Sequence, residues 1–134
     1  MRKRMVINHW NNRIRKLCNK VYCFIIKVFP ILSEKFFIID FVNPYQIRKI
    51  KKSIWNKNVF TDTVTLIFDD CVHIYLCIDI IKRNSYKYGK PFDDELVLVL
   101  LHSFLHSLNK EEDEVSVIQH DLFRRFYEEV IKNE

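Results

Sequence analysis

Apolar residues Ile14, Leu17, Cys18, Val21, Phe24, Ile25 and Val28 recur at three- and four-residue intervals, with Arg and Lys opposite. The spacing predicts an amphipathic helix over residues 11–29, stopped by Pro30. A short β-prone piece, Met5 to Asn8, precedes it. The run KFFIIDFV at residues 35–42 is rich in β-branched and aromatic residues and predicts a buried strand. Asn43-Pro44 then supplies an N-cap and a first-turn proline for a second helix reaching about Trp55. Residues 62–68 (DTVTLIF) and 72–78 (VHIYLCI) predict two further strands joined as a hairpin through Asp69-Asp70-Cys71. A helix follows over residues 79–88 and ends at Gly89, where a helix C-terminus favours positive φ. Pro91-Phe92-Asp93 opens a helix that extends to Leu108, and residues 114–132 form the last one. Strands interleaved with helices give an α/β (α+β) class: a mixed four-stranded sheet packed with about five helices in a single domain, 1–134.

Composition narrows the function. The chain has 134 residues and 49% apolar content, but a single Gly and no Ala. Average usage would supply roughly nine Gly, so phosphate loops built on several glycines are excluded. The net charge of +5 is unevenly spread: residues 1–60 hold 14 Lys/Arg against 2 Asp/Glu, and residues 61–134 hold 8 against 15. One part of the molecule is therefore suited to an anionic partner. Cys18, Cys23, Cys71 and Cys77 match neither zinc-ribbon nor CxxC spacing, and are expected to be buried thiols. The basic start and the apolar patch at residues 21–32 imitate a signal peptide. No small-residue cleavage site follows, and Lys27 and Pro30 interrupt the patch, so a cytoplasmic protein without membrane contact is expected.

The chemistry concentrates in residues 100–113, LLHSFLHSLNKEED. His102 and His106 lie four apart on one helix face and can meet one metal ion; a core pair on an apolar helix is the other reading of the same spacing. Asn109 is suited to a left-handed turn that ends the helix, and acidic residues follow at once.

Residues 102–112, H-S-F-L-H-S-L-N-K-E-E, resemble the signature H-G-x-L-H-L-x-G-Y-D-H of the YbeY family of bacterial endoribonucleases, the rRNA maturation factors. Residues 60–66, FTDTVTL, are similar to that family's P-T-D-V-L-S-F strand, and residues 72–77 followed by 79–89 to its next strand and helix. Order and spacing agree over about residues 35–132. The resemblance implies a metal-dependent endoribonuclease specific for single-stranded RNA, acting in 16S rRNA maturation and ribosome quality control with rRNA and the small ribosomal subunit as partners. It implies one divalent ion, zinc first, held by His102, His106 and Glu112, where Glu112 stands in place of the family's third His. Two imidazoles and a carboxylate are a known catalytic zinc set. Asp113 and His120 rank behind Glu112 as third ligand, and His73 is a further candidate. Thr61 and Asp62 are implied as catalytic or substrate-positioning groups beside the metal.

A positively charged RNA track falls to Arg48, Lys49, Lys51 and Lys52, for which a merely solvated helix face is the alternative. Trp10 and Trp55 are expected in the core, with base stacking as the alternative. Trp55 falls where the family carries a basic residue, and His73 where it carries an Asp. A rival reading is therefore a degenerate member that binds rRNA or the ribosome without cleaving it. A zincin protease is disfavoured because Ser103, not Glu, follows the first His.

Overall fold

The computed structural model describes residues 4–9, 11–57 and 61–134. Among them stand four strands, β1 (Met5–Asn8), β2 (Phe36–Phe41), β3 (Thr63–Ile67) and β4 (Cys71–Leu76), and five α-helices: α1 (Asn12–Val28), α2 (Pro44–Trp55), α3 (Ile78–Lys87), α4 (Phe92–His106) and α5 (Glu112–Phe126). The sheet order is β1-β2-β4-β3, with β1–β2 and β2–β4 parallel and β3–β4 antiparallel. This is the mixed four-stranded sheet and five-helix set that the sequence pattern predicts.

Local signals explain the element ends. Asn43 accepts from the Gln46 backbone N–H while the Gln46 side chain accepts from Asn43, a full capping box, with Pro44 at the first helical position. Gly89 takes φ +65° after α3, and the Lys90 and Gly89 N–H groups donate to the Ser85 and Tyr86 carbonyls, the two bonds of a Schellman motif. The hairpin closes through Phe68 N–H donating to the Cys71 carbonyl.

Phe37 and Ile39 of β2 and Val72, Ile74 and Leu76 of β4 share the main core with α1, α4 and α5. On the other side of the sheet, Ile47 of α2 packs with Val64, Cys77 and Ile80 in a smaller cluster. Helix α4 is the hub, packed against α1, α3, α5 and β3. Its six consecutive apolar residues Leu96 to Leu101 are all buried, as expected of a helix enclosed on every side. A polar side chain on such a helix therefore needs its own explanation.

Several expectations are corrected. Pro30 ends α1, but a 3₁₀ helix, Pro30–Glu34, starts there rather than a plain turn. The last helix begins at Glu112, not Glu114, which places Glu112 on its first turn, and it passes at Tyr127–Ile131 into a π-helical turn. Only Cys18 and Cys77 are buried thiols; Cys23 is exposed on the outer side of α1 and Cys71 is half-buried at the hairpin. Burial pushes the Cys18 thiol up to about 12. Helical spacing predicts Val117, Ile118, Leu122 and Phe126 as the buried face of the last helix, but Val117 lies outside the core at 77% exposure, because Val115, Leu122 and Phe126 form the inner stripe of α5. Trp55 is 45% exposed at the end of α2, not in the core, and Trp10 and Phe60 lie outside the described residues.

Candidate metal centre

The end of α4 and the start of α5 build the centre. The chain reverses at Asn109, which adopts φ 60° as anticipated from its tolerance of the left-handed region, and its N–H donates to the His106 carbonyl. That reversal sets the first turn of α5 beside the last turn of α4. Glu112, Asp113 and Glu114 all occupy the first turn of α5, where the helix dipole favours carboxylates. Of the three, Glu112 reaches back to both imidazoles: its Oε2 lies 2.9 Å from His106 Nε2 and its Oε1 3.4 Å from His102 Nε2. The two Nε2 atoms are 2.9 Å apart.

These separations suit a divalent cation. Two ligands held about 2.0–2.1 Å from a tetrahedral zinc stand roughly 3.3 Å apart, close to the 2.9 and 3.4 Å measured here. His102, His106 and Glu112 are the one group of metal-ligating side chains that converges among the described residues. The donor set of two imidazoles and one carboxylate fits a catalytic zinc site with a position left for water.

A residue that sequence reasoning missed orients the first imidazole. Gln119 Oε1 lies 2.7 Å from His102 Nδ1, so the amide oxygen accepts the Nδ1–H and leaves the lone pair on Nε2, facing the centre. Its signal is position: Gln119 follows Glu112 by seven residues, two helical turns on the same face of α5.

The other expected residues separate clearly. Asp62 and Thr63 line both cavities that flank His102, whereas Thr61 lines only the one shared with His106 and Glu112. Thr61 donates to the Thr63 carbonyl at 3.2 Å. Burial pushes the Asp62 carboxyl above its ordinary range, opposed by the nearby His102. Ser103, in the place of the family's glycine, donates to the Val99 carbonyl and accepts from Thr63 Oγ1 at 2.9 Å, tying β3 to the metal helix. Asp113 is exposed outside the cluster, and His120 lies on the far side of His102. His73 is on the sheet, 2.5 Å from Asp40 and stacked on Tyr75, remote from the centre.

Of the basic run on α2, Lys51 alone lines the cavity of ≈ 440 Å³ beside the triad, together with Trp55. The Lys51 ammonium lies over the Trp55 indole, 5.8 Å from its centroid. Lys49 and Lys52 are exposed and Arg48 half-buried on the same helix.

The family model for Endoribonuclease YbeY matches residues 3–120. The chain belongs to the YbeY family. A YbeY endoribonuclease of Thermosipho melanesiensis is 34% identical over 98 residues, 69% of this chain and 71% of that one. One from Chlorobaculum parvum is 31% identical over 71 residues, half of each chain, and one from Ureaplasma urealyticum 29% identical over 90 residues, 62% of this chain and 58% of that one. A Thermotoga maritima protein solved in solution superposes with a TM-score of 0.66 over 97% of this chain and 92% of its own, at 20% identity, and so shares the YbeY-like fold. No helix among the described residues is long and apolar enough to cross a membrane.

Proposed function

We propose that this YbeY-family chain is a metal-dependent endoribonuclease that cleaves single-stranded RNA, and that its substrate is 16S rRNA presented by the small ribosomal subunit in the cytoplasm. The observation that carries the reading is the convergence of His102, His106 and Glu112 at 2.9–3.4 Å in a chain of this family. Zinc is the ion the donor set favours. When bound, it supplies a Lewis acid for the phosphoryl oxygen and lowers the pKa of a bound water.

The chain's own residues do the rest. Gln119 fixes the tautomer of His102, and Ser103 with Thr63 holds β3 against α4 so that Asp62 and Thr61 stand at the cavity wall. Asp62 and Thr61 position the substrate there. Lys51 supplies the cation that meets a phosphate, and the exposed Trp55 indole offers a face on which a base stacks. Arg48, Lys49 and Lys52 extend the positive surface along α2 and add sequence-independent affinity.

Metal analysis and cleavage of single-stranded RNA test the reading together. One equivalent of zinc and cleavage that is abolished with the metal in His106→Ala are expected. Absence of metal, or cleavage untouched by His106→Ala, overturns it. The exposed Trp55 in place of a basic residue favours a second reading, a protein that binds rRNA without cutting it; metal and RNA bound with no cleavage identifies that case.

A further inference from the structure

A second cavity, of ≈ 550 Å³, opens on the far side of His102, lined by Asp62, Glu95, Leu98, Val99, Gln119 and His120. Its size lies within the roughly 300–1,000 Å³ typical of small-molecule sites. It shares Asp62, Thr63 and His102 with the cavity beside Lys51 and Trp55, so the two cavities adjoin at His102.

Glu95 is the unusual group in it. The residue is only 8% exposed, and its Oε2 is the one buried side-chain polar atom among the described residues without a hydrogen-bond partner. Buried acceptors are nearly always satisfied, and a carboxylate oxygen lining a cavity without a donor lacks what a ligand would bring. Burial and the neighbouring Asp62 both push the Glu95 carboxyl up, against Lys90. Beside Glu95 and Asp62 the two carboxyl groups repel a phosphate, although Lys90 also lines the cavity, and Glu95 does not converge with other ligating groups as the triad does. A neutral ligand with apolar faces and N–H donors on one edge fits instead: Leu98 and Val99 offer apolar wall, and Tyr88 an aromatic rim.

We propose that this cavity seats the nucleobase beside the cleaved phosphate, and that Glu95 selects a base with an exocyclic amino group, guanine foremost. The inference rests on the endoribonuclease reading. Guanine presents N1–H and N2–H side by side to the carboxylate, whereas uracil flanks its N3–H with two carbonyl oxygens that a carboxylate repels.

The test uses short fluorescein-labelled oligouridylates carrying a central uridine, guanosine or inosine, with fluorescence anisotropy on metal-stripped protein and cleavage mapping on zinc-loaded protein. Guanosine is expected to bind tighter than uridine by about tenfold or more, the size of one good edge contact. Inosine, which lacks the amino group, falls between them. Glu95→Gln, which offers one donor and one acceptor, loses the guanosine preference while its melting temperature shows it folded; Glu95→Leu, of similar volume, does the same. Equal binding of guanosine and uridine by the unmodified protein, or a preference kept in both variants, overturns the proposal. Cleavage without base preference removes the pocket but leaves the endoribonuclease reading standing, whereas no binding and no cleavage removes both.

Discussion

Replacing Gln119 by Leu isolates the contribution of a single hydrogen bond to the metal centre. Gln119 sits on α5, hydrogen-bonds to His102 of the proposed ligands, and accepts the Nδ1–H at 2.7 Å. Leucine keeps the approximate volume and removes the acceptor. The imidazole then exchanges its tautomer and rotates freely, so part of the population turns an N–H rather than a lone pair toward Glu112 and His106. Loss of an outer partner of a ligating histidine typically weakens metal binding 10–100-fold, or about 1.4–2.7 kcal/mol. The fold should lose less, about 1 kcal/mol for one part-buried hydrogen bond. Competition with a zinc chelator at fixed pH measures the first quantity and thermal unfolding of the metal-free protein the second. Gln119→Glu supplies the control, since a carboxylate still accepts the Nδ1–H and raises the basicity of the ring, and is expected to retain zinc at least as tightly. Zinc affinity in Gln119→Leu within about twofold of the unmodified protein, against the 10–100-fold expected, would refute the orienting role.

Two other outcomes are expected. Lys51→Ala should lower affinity for single-stranded RNA and reduce the salt slope by about 0.7, whereas Lys52→Ala, outside the cavity, should lower affinity less; equal effects would count against Lys51 as the phosphate contact. Glu95 has a folded-state pKa raised above its ordinary value, so its contribution to stability is fully present below about pH 4.3 and is lost as pH rises through the raised value. Denaturant titrations should therefore find Glu95→Gln gaining on the unmodified protein as pH climbs from 4 toward neutrality, and a difference independent of pH would contradict that sign.

Much of the architecture was legible because its signals are local. The capping box at Asn43, the left-handed residues Gly89 and Asn109, and the apolar periods of α1 and β4 are each decided within a few residues by backbone geometry. The pair His102 and His106 follows from helical spacing alone, and the acidic run after Asn109 supplied Glu112 as a candidate. Trp55 and Val117 went to the surface because burial is set by which stripe of a helix meets the sheet, and that depends on partners distant in sequence. Cys23 followed the same rule on α1, and Cys71 is half-buried because it opens β4 at the hairpin.

What the sequence determined by itself is the order of elements, the turn at Asn109 and the candidates for the donor set. The tertiary structure alone decided which donors converge. Asp113, His120 and His73 are also metal-ligating side chains, and only the reversal at Asn109 and the packing of α5 along α4 bring Glu112 rather than these to the two imidazoles. The same packing brings Gln119 against His102, 17 positions away in sequence, and leaves Glu95 facing a cavity without a donor. Hydrogen bonds of this kind are fixed by helix-on-helix geometry, which no local period encodes.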